Sequence, residues 1–288
     1  MVISILSFIL SLINPSDFGG LPVDASIPGL AYSVTARYGF PNLDNVSSFS
    51  LLTQGGVVLS FAYVPESITD VLNYGSHVKF KNLTAAGFYS KGAGFFYRLI
   101  TRREIKLPDK ETEYSIDEFS LAVSDMLYYN LYGGLSLNYY YVRFGEAAVV
   151  NGSPEVNLDT GNGFSIDLGL IFKYQGVSFG FSSKNVFSGI YYSKFEKDVL
   201  RPSLSLGVNL VPMKILSLSM DGFIEKNGKP FYFTGFNARL LKWIGIFGGY
   251  TFNDKSYGGG VELNYRSSDF VISYRKKAVF LTWRSLFE

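Results

Sequence analysis

Residues 203–211 read SLSLGVNLV, and residues 257–266 read YGGGVELNYR. In both stretches apolar residues alternate with polar or small ones, and Leu204, Leu206 and Val208 form the clearest run. A period of two places alternate side chains on opposite faces of a β-sheet, so each stretch has one apolar and one polar face. Because this pattern recurs through the C-terminal part of the chain, it predicts an all-β protein that closes into a barrel.

The same pattern predicts ten strands of roughly nine to eleven residues in most cases. They cover residues 131–144, 164–174, 177–185, 203–211, 216–225, 231–240, 243–251, 257–266, 270–276 and 279–287. This length suits a tilted crossing of a bilayer and exceeds the usual soluble length of about five or six residues. Tight connections such as Gln175-Gly176 alternate with longer ones such as 145–163 and 186–202, which is typical of outer-membrane barrels.

The first third of the chain contains six further strand-like segments, several of them short or interrupted by Gly or Pro. They cover residues 32–38, 49–53, 57–64, 83–89, 93–102 and 119–124. Adding all six to the ten gives about sixteen strands, whereas merging or discarding two gives about fourteen. Since such barrels have an even number of strands, the sequence predicts a transmembrane antiparallel barrel of about fourteen strands, with about sixteen or twelve as alternatives.

The composition excludes several classes of function. The 288 residues include no Cys and a single His77, so disulfides and thiolate metal sites are excluded and little material remains for imidazole chemistry. A net charge of +2 is too small to indicate a nucleic-acid partner. His77 lies in an irregular stretch and is best explained as a solvated loop residue. We therefore expect no enzyme activity, no cofactor and no metal site.

The N-terminus predicts a separate segment. Residues 2–13 form an apolar stretch of the length found in secretory signals, although no Lys or Arg precedes it. We interpret residues 1–25 as a signal or N-terminal segment and residues 26–288 as the barrel. The alternative is that the apolar stretch forms a buried first strand or helix of the mature protein.

Charge assigns the two faces of the predicted strands. A Lys or Arg facing hydrocarbon costs about 2–4 kcal/mol near the bilayer midplane, so the charged face should point into the barrel. Residues predicted to line the lumen are Asp167, Lys173, Asp221, Glu225, Arg239, Glu262, Arg266, Arg275 and Arg284. Uncharged apolar residues such as Leu168, Leu218 and Leu281 are then predicted to face lipid. Tyr, Trp and Phe near strand ends fit the headgroup level.

Two stretches resemble a known family. Residues 198–212 read DVLRPSLSLGVNLVP and look like the PorV/PorQ group of bacterial outer-membrane barrels, which is related in fold to the long-chain fatty-acid transporter family. Residues 18–31, FGGLPVDASIPGLA, resemble in shortened form the Gly-rich stretch and Asn-Pro-Ala-Gly-Leu-type element before the first strand, with Ile27 in place of Asn. The resemblance implies about fourteen strands, an N-terminal segment able to enter the lumen, and a role in moving apolar molecules or supporting secretion. It carries over no binding residue.

Together these features predict a monomeric bacterial outer-membrane channel or transporter for small molecules, apolar ones included. Its expected partners are the bilayer, lipopolysaccharide and an apolar solute. Arg102, Arg103 and Lys106 fit either lipopolysaccharide contact or solvent. The alternative functions are a scaffold or shuttle that docks secreted or surface proteins through its long loops, and a soluble all-β binding protein.

Overall fold

The structure is a computed structural model that describes residues 24, 26–30, 34–37, 39–63, 83–107, 110–150, 153–192, 200–226, 228–276 and 278–287. The side chains of residues 28, 29, 101–114, 144, 146–150 and 153–157 are not described. The predicted N-terminal segment, residues 1–25, lies outside the described residues except for Asp24. His77 also lies outside them.

Fourteen antiparallel strands form a closed barrel in which each strand pairs with its neighbours in sequence. Their bounds are β1 Gly56–Tyr63, β2 Leu83–Ser90, β3 Ala93–Leu107, β4 Lys110–Tyr128, β5 Leu131–Val150, β6 Ser153–Tyr174, β7 Val177–Tyr192, β8 Ser203–Met213, β9 Leu216–Glu225, β10 Phe231–Leu241, β11 Ile244–Thr251, β12 Ser256–Tyr265, β13 Ser268–Arg275 and β14 Ala278–Leu286. Strand β1 closes the barrel against β14, from the pair Gly56 and Leu286 to the pair Tyr63 and Val279. The prediction of a fourteen-stranded barrel is confirmed.

The two surplus strand predictions, residues 32–38 and 49–53, fall before β1. Residues 49–53 overlap a 3₁₀ helix, Val46–Leu51, and the described residues of 32–38 form turns and irregular chain. A four-residue helix, α1 (Ser26–Gly29), precedes them. The other four segments correspond to β1 to β4, so discarding these two gives the observed number. Within the described residues, no helix is long and apolar enough to cross a membrane.

Connections on the two ends of the barrel differ in length. Six two-residue turns, between β2 and β3 and then after each second strand up to β12, close one end. At one of them Gln175 and Gly176 both have positive φ, 43° and 83°, as a type I′ hairpin turn requires. We call this the short-turn end and the opposite one the loop end. Residues 64–82 and 193–202 are the longest connections at the loop end.

Strands β3 to β7 are longer than the rest and extend beyond the other strands at the loop end. The prediction of a long loop at 145–163 is wrong, because residues 145–150 continue β5 and residues 153–163 continue β6. The Gly, Asn and Asp residues that suggested a loop are accommodated by a continuous ladder of backbone pairs from Tyr140 and Gly163 to Val150 and Ser153. The amino-acid composition of residues 145–163 therefore predicted shorter strands β5 and β6 than the structure has.

Side chains alternate across the wall as the period of two predicts. In β13, Phe270, Ile272 and Tyr274 are 46%, 47% and 46% exposed, whereas Asp269 and Arg275 are buried. The outer surface is apolar in the same way around most of the barrel, with Leu206, Leu218 and Leu281 among its exposed residues. The inner face carries the buried polar and charged groups.

Candidate functional site

The lumen of the barrel holds the described residues that precede β1. We call the described residues from Asp24 to Leu52 the plug. Helix α1 contacts β11, β12 and β13, and the 3₁₀ helix contacts β3, β4, β5 and β6, so the plug touches both sides of the cylinder. The chain then leaves at the short-turn end, where the backbone N–H of Phe287 donates to the Gly55 carbonyl, 2.8 Å away, just before β1. The plug therefore lies inside the barrel and leads into β1 at the short-turn end.

Inward-facing glycines let the plug backbone approach the wall. They are Gly94, Gly134, Gly169, Gly180, Gly207 and Gly235, on six different strands. A Cβ at Gly134 would lie 2.7 Å from the Ser47 nitrogen, and a Cβ at Gly180 would overlap the Thr35 carbonyl oxygen. Any side chain at these positions would occupy space that the plug now fills. We call these six residues the glycine seat.

Asn45 joins the plug to the wall. Its amide nitrogen donates to the Thr35 carbonyl of the plug, at 2.7 Å, and to the carbonyls of Leu170 and Phe181 on β6 and β7, at 3.1 and 3.2 Å. Its side-chain oxygen caps the 3₁₀ helix by accepting from the backbone N–H and hydroxyl of Ser47. Because Asn45 is fully buried, this one side chain satisfies donors and acceptors that water cannot reach.

Arg284 is the centre of an ion cluster between the plug and strands β12 to β14. Its guanidinium lies 2.8 Å from Glu262, 3.3 Å from Asp24 of the plug and 3.8 Å from Asp269. Asp269 also accepts from the Asn264 amide at 2.6 Å. A buried cation with three carboxylate neighbours ties the start of the plug to the wall.

A second polar group lies on the inner face of β3 to β7. Arg98 and Glu118 form a two-pronged pair with N–O distances of 2.7 to 3.0 Å, and Ser120 donates to the same carboxylate. Asp167 accepts from the Asn138 amide at 2.9 Å and from the backbone N–H of Asn185 at 2.8 Å. These contacts form a belt of paired polar groups across this side of the lumen.

Lys184 connects this polar belt to the plug. It lies in β7 where a bulge places residues 184–186 opposite Asp167, and its ammonium forms an ion pair with Asp44 of the plug. Both partners are only partly exposed. The plug is therefore held by ion pairs on two sides, through Asp24 and through Asp44.

Arg37 is a third charged residue of the plug and is 6% exposed. Burial lowers its pKa to about 10, against the opposing effect of the nearby carboxylates of Asp221 and Glu262. It therefore stays cationic at neutral pH. Asp221 in turn accepts from the backbone N–H of Thr35 at 2.5 Å. The positive charge of Arg37 in the plug therefore lies near the negative charges of Asp221 and Glu262 on the wall.

The residues predicted to line the lumen occupy three kinds of position. Six of them are on the inner face, namely Asp167, Asp221, Glu225, Glu262, Arg275 and Arg284. Lys173 and Arg239 have the same inward register but lie near the short-turn end, where Arg239 is exposed. Arg266 differs from the prediction: it lies in the exposed β12–β13 turn with positive φ, and its guanidinium stacks 5.3 Å from the Tyr265 ring. The strand ends one residue earlier than the alternation suggested.

Buried apolar side chains also face the lumen. One cluster lies between the plug and the wall and contains Ile27, Leu30, Val34, Phe40, Ala62, Leu99, Phe247, Val271, Ala278 and Phe280. A second lies around the 3₁₀ helix, where Phe49 packs edge-on against Phe96 with ring centroids 5.5 Å apart. A third, Ile116, Tyr140, Val142 and Ile190, lies within the extended part of β4, β5 and β7, and we call it the upper apolar cluster. Apolar surface is therefore present inside the barrel as well as outside it.

Sequence reasoning did not identify the plug residues that make these contacts. Asp24, Arg37, Asp44 and Asn45 are far in sequence from their partners on the wall, so no local pattern pairs them. Two signals were present. Val46, Phe49 and Leu52 recur every three residues, the period of a 3₁₀ helix. An inward-register glycine also recurs in strand after strand.

Comparisons with known proteins agree with this architecture. No protein-family model matches the sequence, and no curated protein matches it. Among solved structures, the CymD monoaromatic hydrocarbon channel matches with a TM-score of 0.65 at 10% identity, over 94% of this chain and 98% of that chain. A Pseudomonas aeruginosa FadL homologue matches with a TM-score of 0.61 at 7% identity, over 93% and 99%. The Ralstonia pickettii toluene transporter TbuX matches with a TM-score of 0.58 at 11% identity, over 94% and 99%.

At these identities the similarity concerns the fold. It confirms the predicted fold relation to fatty-acid transporters, since a FadL homologue is among the matching structures. The match covers nearly the whole length of both chains in each case. The chain thus has the fourteen-stranded, closed antiparallel barrel fold shared by these FadL-type and monoaromatic hydrocarbon channels.

Proposed function

We propose that this protein is a bacterial outer-membrane channel or transporter for small apolar molecules. The apolar outer surface and the closed wall support a place in a bilayer, since an exposed band of Leu, Ile and Phe is costly in water. The short-turn end then faces the periplasm and the loop end the exterior. Tyr128, Tyr129, Trp243 and Tyr265 are exposed near the short turns, where aromatic rings suit the headgroup level.

The observation that carries the proposal is the upper apolar cluster. A channel for hydrophilic solutes lines its interior with polar groups, whereas here Ile116, Val142 and Ile190 are buried on the inner side of the wall at the loop end. A solute that enters from the exterior passes this cluster, whose side chains are packed against one another, before it reaches the paired polar belt and the plug. The similar structures described as toluene transporters and a monoaromatic hydrocarbon channel support the same solute class.

Uptake of radiolabelled toluene tests this proposal. Asymmetric vesicles with lipopolysaccharide in the outer leaflet should take up toluene faster with the protein than without it. A buried polar group costs about 1–3 kcal/mol, so the variant Ile190→Asn should slow entry about fivefold or more. Leu158→Asn, on the exposed outer side of the same extension, is the matched control and should behave like the unmodified protein. Equal uptake with and without the protein would contradict the proposed function.

The finer predictions from the sequence belong to the same proposal. We propose that residues 1–25 are the signal or N-terminal segment, with any export signal ending before Asp24, that the barrel is a monomer, and that lipopolysaccharide surrounds its outer half. The resemblance to the PorV/PorQ group rests on residues 18–31 and 198–212. The mass of the mature chain and its size in detergent test the first two of these points.

A further inference from the structure

Three phenylalanines face the lumen from two neighbouring strands near the loop end. In the ladder between β9 and β10, Phe233 lies opposite Asp221, whose buried carboxylate contacts the plug. Phe223 and Phe231 lie opposite each other, two residues nearer the loop end on their strands, and therefore have the same inward register. We call Phe223, Phe231 and Phe233 the aromatic shelf.

The aromatic shelf is accessible from the lumen. All three of its side chains are half-buried although they point to the inside of the barrel. Phe233 is two residues nearer the loop end than Gly235, where a Cβ would lie 3.1 Å from the Leu30 carbonyl oxygen of the plug. The shelf therefore lies on the exterior side of this plug contact.

The rings of the shelf share an orientation. The planes of Phe231 and Phe233 are 9° from parallel, with their centroids 6.5 Å apart, and the Phe223 ring lies 6.4 Å from Phe231 at 56°. A flat solute ring that is aligned with Phe231 is therefore aligned with Phe233 as well, and it meets Phe223 at an angle. Offset-stacked and edge-to-face arrangements, with centroids about 4.5 to 7 Å apart, are the favoured ones for aromatic pairs.

Polar side chains around the shelf are less accessible than its rings. Asp221 on β9 and Thr251 on β11 lie on either side of Phe233, and both are buried. Glu225, one inward position beyond Phe223, is also buried. A solute in the lumen therefore meets aromatic carbon here before it meets a polar atom, which favours an apolar solute.

From this arrangement we infer that the aromatic shelf is a solute-binding site that holds flat aromatic hydrocarbons by ring stacking and binds saturated rings of the same size more weakly. The inference rests on the proposed function, since it names the solutes that the same lumen selects. Stacking adds to the burial of apolar area, so it distinguishes two solutes that are equal in size and charge. Each favourable ring contact strengthens binding by about twofold to tenfold.

The concentration dependence of uptake tests the inference in the asymmetric vesicles described above. Toluene and methylcyclohexane are uncharged and similar in size, and only toluene is flat and aromatic. We expect toluene uptake to reach half of its maximum at a lower concentration than methylcyclohexane uptake. The double variant Phe231→Leu, Phe233→Leu keeps the lumen apolar. It should raise the half-maximal concentration of toluene about threefold or more, and that of methylcyclohexane by less than about twofold.

Phe236→Leu is the matched control, because Phe236 lies on the outer face of the same strand and is 40% exposed. It should leave both half-maximal concentrations unchanged. A direct readout places 4-fluorophenylalanine at position 233 or at position 236, since the ring current of an aromatic solute shifts the fluorine resonance. The shift at position 233 should saturate with toluene, whereas toluene dissolved in the bilayer should shift position 236 in proportion to its concentration.

A double variant that weakens the uptake of both solutes equally, or that changes neither half-maximal concentration, would overturn the inference and leave the proposed function standing. A fluorine shift at position 233 that does not saturate would also overturn it. Entry of neither solute would contradict the proposed function, and the fluorine shift then decides the inference. Because the fluorine measurement keeps the ring in place, it also decides the inference if the double variant does not fold.

Discussion

Arg284→Met is expected to destabilise the folded barrel by about 3–5 kcal/mol, because it leaves the buried carboxylates of Asp24, Glu262 and Asp269 without their shared cation. Met retains the length of the side chain, so the loss reports charge more than volume. Unfolding in denaturant, followed through the fluorescence of Trp243 and Trp283, measures the change in free energy.

Arg266→Met is the matched control for this experiment. Arg266 lies in an exposed turn and stacks on Tyr265, so the same substitution should change the unfolding free energy by less than about 1 kcal/mol. Adding Glu262→Gln to Arg284→Met should recover part of the lost stability, since one uncompensated acid is removed. If Arg284→Met and Arg266→Met unfold at the same denaturant concentration, the ion cluster does not hold the plug.

Gly180→Val is expected to open the lumen. A Cβ at this position overlaps the Thr35 carbonyl oxygen, so the plug must move away from the wall. Overpacking a filled interior costs about 1–3 kcal/mol. A cost of that size multiplies the fraction of barrels with a displaced plug by about 5 to 150. Single-channel recordings in planar bilayers should therefore show far more frequent open events than the unmodified protein shows.

The control for Gly180→Val is Gly222→Val, on the outer face of β9. A Cβ at Gly222 would meet only the Tyr232 ring at 3.8 Å, which is ordinary van der Waals contact. Both variants replace a strand glycine with a β-branched residue, so the barrel itself should tolerate either. Heat-shifted migration in detergent gels verifies that each variant folds. A folded Gly180→Val barrel that stays as closed as Gly222→Val would contradict the glycine seat.

The wall of this barrel was largely predictable from the sequence. Strands such as β9, predicted at 216–225 and observed at Leu216–Glu225, have strict alternation, and a two-residue turn precedes β9. The polar upper parts of β5 and β6 were not recognised, because Gly, Asn and Asp there resemble loop residues and only backbone pairing across the hairpin holds them in a sheet. The composition of one segment does not show which strand lies beside it, and the backbone pairing that holds these residues in the sheet depends on that neighbouring strand.

The family resemblance implied an N-terminal segment able to enter the lumen, but the local sequence pattern did not predict the plug or its contacts. Residues 32–38 and 49–53 alternate briefly as strands do, and nothing local shows that their partners are glycines of the wall, such as Gly180 beside Thr35 and Gly94 beside Phe49. The wall residues of the site were easier to predict from the sequence, because Asp221, Glu262 and Arg284 share an inward register with polar neighbours along their strands. Their partners Asp24 and Arg37 lie in irregular chain, where register gives no information.

Single cysteines along β8 test the central claim that apolar side chains face lipid and polar ones face the lumen. The chain has no Cys, so a spin label at one introduced Cys reports one position. Leu206 is 64% exposed and Asn209 is 4% exposed. In reconstituted protein, oxygen dissolved in the bilayer should broaden labels at Leu204, Leu206 and Leu210 and leave labels at Ser203, Ser205 and Asn209 unaffected. Uniform oxygen access along the strand, or the opposite alternation, would contradict this arrangement.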